Sequence, residues 1–114
     1  MQTSIVINAA GRDITVQPTR IAFPINSGSR NLRWFPAGNS VDITDITFDD
    51  ANAPITEPQK QANGDWTATW NTDGQVEKLW KYSVTVRIGT RDLPTLDPEI
   101  ENGPPGGLAD DGGG

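Results

Sequence analysis

Asp42, Asp45, Asp49 and Asp50, closed by Asn52, are the densest set of oxygen donors in the sequence. Side-chain oxygens at such spacing are what a calcium ion requires. The spacing matches no EF-hand loop, because the alternation of ligands and the closing Glu are both missing. Strand alternation over residues 41–48 turns Asp42 outward, so the group reads as a solvated face rather than a metal centre. Two of these acids would make the proton donor and acceptor of a glycosidase if they flanked a cleft at a set separation. Nothing in the sequence supplies that cleft.

The second chemistry-bearing set is aromatic: Trp34, Trp66, Trp70 and Trp80. Ring faces stack on sugars and bases, and Trp66 and Trp70, separated by the small Ala68 on one side of a strand, would form a flat ligand platform. Against this stands the large apolar area of a tryptophan, about 150–250 Å² each, which a thin sandwich needs for its core. The other side of that strand, Asp65, Thr67, Thr69 and Asn71, is polar and belongs to solvent, so both rings are expected to point inward. Lys81, Arg87 and Arg91 offer cations to an acidic partner, or more simply face Asp97, Glu99 and Glu101 of the last strand.

What is missing narrows the chemistry further. The 114 residues include no cysteine and no histidine, which removes disulfides, thiolate sites, the commonest general base and most nucleophile-activating pairs. An enzyme is not expected, nor is a cofactor or a small-molecule ligand. The formal net charge of -6 is uneven, with all nine basic residues and nine of the fifteen acids lying in residues 1–91. A neutral body with an acidic end has no broad basic surface for a phosphate backbone, so nucleic-acid binding is not expected. The start, Met-Gln-Thr-Ser-Ile-Val-Ile-Asn, has neither a basic region nor a long apolar run, and no apolar stretch approaches roughly 20 residues. A soluble, cytoplasmic protein without membrane association is the default expectation.

The elements that must position these residues are strands. Residues 80–88 alternate most cleanly, with Trp80, Tyr82, Val84, Val86 and Ile88 on one face and Lys81, Ser83, Thr85 and Arg87 on the other. Shorter alternating runs cover 4–8, 13–17, 20–25, 31–35 and 65–70, separated by turns such as Asn26-Ser-Gly-Ser and Asn63-Gly64. In 41–48 the apolar positions change parity, from Val41 and Ile43 to Ile46 and Phe48, which a bulge at Thr44-Asp45 reconciles. Val76, Leu79 and Trp80 have helical spacing, with Glu77 four before Lys81, and predict one helical turn or corner at 76–79. Residues 96–102 alternate Leu96, Pro98 and Ile100 with acids. Pro98 and the outward charges predict an edge strand returning beside 80–88, with Arg87 opposite Asp97 and Thr85 opposite Glu99.

A strand carrying Leu32-Arg-Trp34, a corner before Tyr82, the run Tyr82-Ser-Val-Thr-Val86 and a final returning strand together resemble immunoglobulin-like and fibronectin-like sandwiches. The resemblance implies an all-β, single immunoglobulin-like antiparallel β-sandwich of about seven strands over residues 2–102. It also implies that Tyr82 is a corner tyrosine bonding upstream backbone. Residues 103–114, Gly- and Pro-rich and acidic, lack the apolar content to offset ordering entropy and predict a disordered tail. The run Leu96-Asp-Pro-Glu-Ile-Glu-Asn-Gly is also similar to the ending of small uncharacterised bacterial sandwich proteins. The functional expectation is a non-enzymatic interaction or structural module with a protein partner. The alternative is a carbohydrate-binding module using Trp66 and Trp70.

Overall fold

The stretch that alternates most cleanly becomes the longest strand and organises one of two sheets. The computed structural model describes residues 2–10, 13–37, 41–94 and 98–103. Its strands are β1 (Gln2–Ala10), β2 (Asp13–Gln17), β3 (Arg20–Pro24), β4 (Ser29–Ala37), β5 (Val41–Phe48), β6 (Gln59–Lys60), β7 (Trp66–Asn71), β8 (Lys78–Ile88), β9 (Arg91–Pro94) and β10 (Glu99–Gly103). The first sheet runs β2-β1-β4-β7-β6 and the second β3-β10-β8-β5, with β9 paired to the far half of β8. This is the expected all-β sandwich. The described residues form ten strands in place of about seven, and two pairings among them, β1 with β4 and β10 with β3, are parallel.

Alternation sets the core. Trp80, Tyr82, Val84 and Val86 of β8 face Ile5, Ile7, Leu32, Trp34, Ala68 and Trp70 of the other sheet, and all are buried. Covering apolar area of this kind stabilises at about 25 cal/mol per Å² removed from water. The parity change in β5 is a bulge, with the pairing to β8 shifting between Ile43 and Asp45. Thr44, the extra residue, donates its hydroxyl to the Thr85 carbonyl at 3.2 Å. Ile43 and Ile46 thereby both reach the core.

Three expectations are corrected. Of the helical turn or corner expected at 76–79, no helical turn forms and the chain bends at Glu77: β8 begins at Lys78, Leu79 points out and Trp80 in, so strand alternation overrides the helical spacing. β10 is not an edge strand but lies between β3 and β8. Pro98 precedes it and loses nothing by lacking a donor, while its carbonyl accepts from the Tyr82 amide at 3.0 Å. The register also differs, since Glu99 lies opposite Lys81, whereas Thr85 lies opposite Pro94 and Arg87 opposite Asp92. β9 takes the position beside the far half of β8 that was expected for the last strand. Leu96 and Asp97 lie outside the described residues, as does the expected tail from residue 104 on, while Gly103 belongs to β10.

One end of the sandwich is closed by two interlocked turns. Thr72, fully buried, donates its amide and its hydroxyl to the Gly28 carbonyl, at 3.1 and 2.7 Å. The same hydroxyl accepts from the Ser27 amide at 2.9 Å, and Gly28 donates to Asp73 Oδ1 at 3.0 Å. Asn26, at φ 59°, accepts from the Gly74 amide at 3.0 Å. Asn tolerates that left-handed backbone better than most residues.

Candidate functional site

The tryptophans are the first candidates, and their strands aim three of the four indoles across the space between the sheets. Trp34 on β4 donates Nε1–H to the Tyr82 hydroxyl on β8 at 3.2 Å. Trp70 on β7 donates to Asn102 Oδ1 on β10 at 2.9 Å. Trp66, also on β7, donates to the Ile43 carbonyl on β5 at 2.9 Å. Trp34 and Trp70 are fully buried and Trp66 is half-buried, and each of the three ties one sheet to the other with a directional bond. Each such bond contributes about 1 kcal/mol net. Trp80 differs: its ring meets Trp70 edge-on at 6.3 Å with the Lys78 ammonium 4.1 Å above it, and its buried indole nitrogen has no hydrogen-bond partner among the described residues.

The pair singled out as a platform is thus divided in environment. Trp70 is 0% exposed and Trp66 half-buried, so no joint ring face is turned to solvent. The inward direction expected for the tryptophans is the one observed, but of the polar set Asp65, Thr67, Thr69 and Asn71 assigned to solvent, Asn71 is exposed, Thr67 and Thr69 are half-buried, and Asp65 is buried.

Tyr82 lies inside β8 rather than at a corner, and its hydroxyl partner is the Trp34 indole rather than upstream backbone. It stacks on Phe48 at 5.0 Å and meets Trp34 edge-on at 5.9 Å. Burial pushes its hydroxyl pKa up to about 12, against a smaller opposing effect of the Trp34 hydrogen bond. The phenolate would lose its hydration in that packing.

The acidic group does not converge. Asp42 pairs with Lys60 at 2.9 Å, and Asp45 accepts from the Ile46 amide at 3.0 Å. Asp50 accepts from the Asn52 amide at 2.9 Å and pairs with Lys78 at 3.2 Å. The Asn52 amide first, and then Lys78, hold the Asp50 carboxyl below its ordinary pKa. Among the described residues, no three acidic side chains are placed to share a metal ion.

The outer face of the second sheet is a charge ladder. Glu99 lies between Lys81 and Arg20 in register, and Arg20 pairs with Glu101. Arg87 holds Asp92 through two bonds at 2.9 and 3.3 Å, keeping that carboxyl below its usual range and raising its own pKa. Of the β10 acids, Glu101 pairs with Arg20 on β3, and Glu99 stands in register with Lys81 on β8, so cations flank β10 on both neighbouring strands.

Two surface grooves lie among the described residues. One of about 500 Å³ lies over β4 and β7 beside the 56–59 segment, lined by Asn31, Thr56, Glu57, Gln59, Thr67 and Thr69. Its polar atoms engage one another, with Gln61 Nε2 to Thr67 Oγ1 at 2.9 Å and the Thr69 amide to Thr56 Oγ1 at 2.9 Å. The other, of about 640 Å³, opens where β2 passes into β3, beside Val6, Pro18 and Arg20. Beyond the grooves, Val76 is 70% exposed on the segment leading into β8, and Leu79, the second residue of β8, is 38% exposed.

Sequence reasoning missed the buried polar residues. Asn102, 0% exposed, continues the parity of Ile100, and that signal was available. Thr72 sits outside the strands and carried none, while Asp65, which alternation assigned to solvent, is buried just before β7. Asp65 is buried against Arg33 at 2.6 Å, and the Arg33 guanidinium lies 4.6 Å from the Phe35 ring centre.

No helix among the described residues is long and apolar enough to cross a membrane. No protein-family model matches the chain, and a search of curated proteins finds no match.

Proposed function

We propose that this chain is a non-enzymatic interaction or structural module, a sandwich of immunoglobulin-like kind that presents the 72–79 turn to a protein partner. The immunoglobulin-like reading is supported by strand order: β4-β7-β6 and β10-β8-β5 correspond to the B-E-D and G-F-C orders of that architecture. The N-terminal β1 departs from it by lying parallel to β4.

The observation that carries the functional reading is the exposure of two apolar side chains close together in sequence, Val76 before β8 and Leu79 at its start, next to a turn fixed by the Thr72 and Asp73 bonds. Covering exposed apolar area is favourable by about 25 cal/mol per Å². The carbohydrate alternative has less support, since Trp70 offers no exposed ring face. Affinity capture with the parent and with a Val76→Asp, Leu79→Asp variant tests the proposal. A specific protein retained by the parent and lost by an equally stable variant supports it. Equal retention by both would place the contact elsewhere.

A further inference from the structure

Strands at the margins of a sheet present unpaired backbone groups, and soluble proteins guard them with charge, proline, bulges or short length. Most of the margins here are guarded. β6 has two residues and ends in Lys60. β3 ends in Pro24 and carries the Arg20–Glu101 ion pair. β9 is four residues long and ends in Pro94. β5 is bulged, its Ile43 carbonyl is taken by Trp66, and Asp42 with Lys60 lies alongside. β2 is the exception. Its five residues pair with β1 in an unbroken register, with no bulge and no internal proline, and the β-branched run Ile14-Thr15-Val16 favours extended backbone.

We propose that the free edge of β2 pairs with the same edge of a second copy of this chain, antiparallel about a two-fold axis at Thr15. The two five-stranded sheets become one. Three observations favour a second copy as the occupant. The pairing sets Ile14 opposite Val16 of the other copy, and since both are buried inward in each sandwich the two cores run on side by side. Thr15, which is exposed, meets its own equivalent, and Thr–Thr cross-strand pairs are favourable. Charge points the same way: a chain of net charge -6 repels its copies, yet residues 1–19 contain Arg12 and Asp13 as their only charged residues. The hairpin of β1 and β2 is where two copies approach at least electrostatic cost.

Pro18 ends the pairing, since it has no amide to donate. The interface is therefore small and the association concentration-dependent. It uses no residue of the 72–79 turn, so it stands or fails separately from the function proposed above.

Sedimentation equilibrium of the full chain from about 10 µM to about 1 mM spans the affinities of such small interfaces. The parent is expected to pass from monomer to dimer across this range. Thr15→Lys, which sets two ammonium groups face to face, should weaken the dimer at least tenfold without changing the monomer's melting. Thr47→Lys on β5 should leave the dimer as it is. Hydrogen exchange supplies a readout independent of any variant: amides within 13–17 should slow as concentration rises. A parent that stays monomeric throughout, a Thr15→Lys dimer as strong as the parent's, or concentration-dependent protection in β5 instead of β2 would each overturn the proposal.

Discussion

Replacing Trp70 by Phe keeps an aromatic ring between the sheets and deletes one donor, which makes it the sharpest test of the inter-sheet bonds. Asn102 is 0% exposed and its Nδ2 already lacks a partner, so losing the 2.9 Å bond from Trp70 leaves the whole amide unpaired in the core. An unsatisfied buried acceptor costs about 1–3 kcal/mol. The smaller ring adds about 1 kcal/mol, a fraction of what complete removal of a buried aromatic costs. The sum, about 2–4 kcal/mol, corresponds to a fall in Tm of about 8–16 °C for a chain of this length. Urea denaturation followed by far-UV circular dichroism measures it. Asn102→Leu in the Trp70→Phe background should recover part of the loss, because removing both partners is far cheaper than stranding one. The cycle should show a coupling of at least about 0.5 kcal/mol. A Trp70→Phe variant within about 0.5 kcal/mol of the parent, or strict additivity of the two substitutions, would refute the bridging role.

The remaining predictions concern Tyr82 and the acidic group. Because the folded-state pKa of Tyr82 is raised to about 12 from an ordinary value of 10, the folded protein holds this proton more tightly than the unfolded chain. Its contribution is fully present below pH 10 and is lost as pH rises through 12, by up to about 3 kcal/mol. Tyr82 is the single tyrosine, so absorbance near its phenolate band follows it alone, and Tyr82→Phe should remove this part of the alkaline stability loss. A native-state titration midpoint near 10 would contradict its burial. Calcium at about 1 mM should leave Tm unchanged, since Asp42, Asp45 and Asp50 are engaged separately. A ligand at 100 times its Kd would add about 2.7 kcal/mol, so a rise of several degrees would revive the acids as a site.

Local alternation made much of this fold legible and long-range pairing did not. The inward set of β8 could be read residue by residue because each side chain's direction follows from its neighbours in sequence. The bulge in β5 was legible for the same reason, since Val41, Ile43, Ile46 and Phe48 cannot share a face without an extra residue between them. The parallel partners of β1 and β10 left no local trace. A parallel pairing joins segments far apart in the chain, and neither segment's composition names the other. β10 misleads in particular, because its glutamates look like edge guards until Lys81 and Arg20 are found on the strands beside it.

The tryptophans show the same limit at the level of a site. Two-residue spacing fixes that Trp66 and Trp70 point the same way, and the polar residues between them fix that this way is inward. What each indole nitrogen then meets depends on the opposite sheet, which is set by topology. Trp66 reaches the Ile43 carbonyl beside the β5 bulge, and Trp70 reaches an asparagine on a strand that sequence placed at the margin. Removing the bulge by deleting Thr44 would therefore do more than misplace Ile46 and Phe48. It would also move the Ile43 carbonyl that Trp66 holds, so a local defect in one sheet would loosen its attachment to the other.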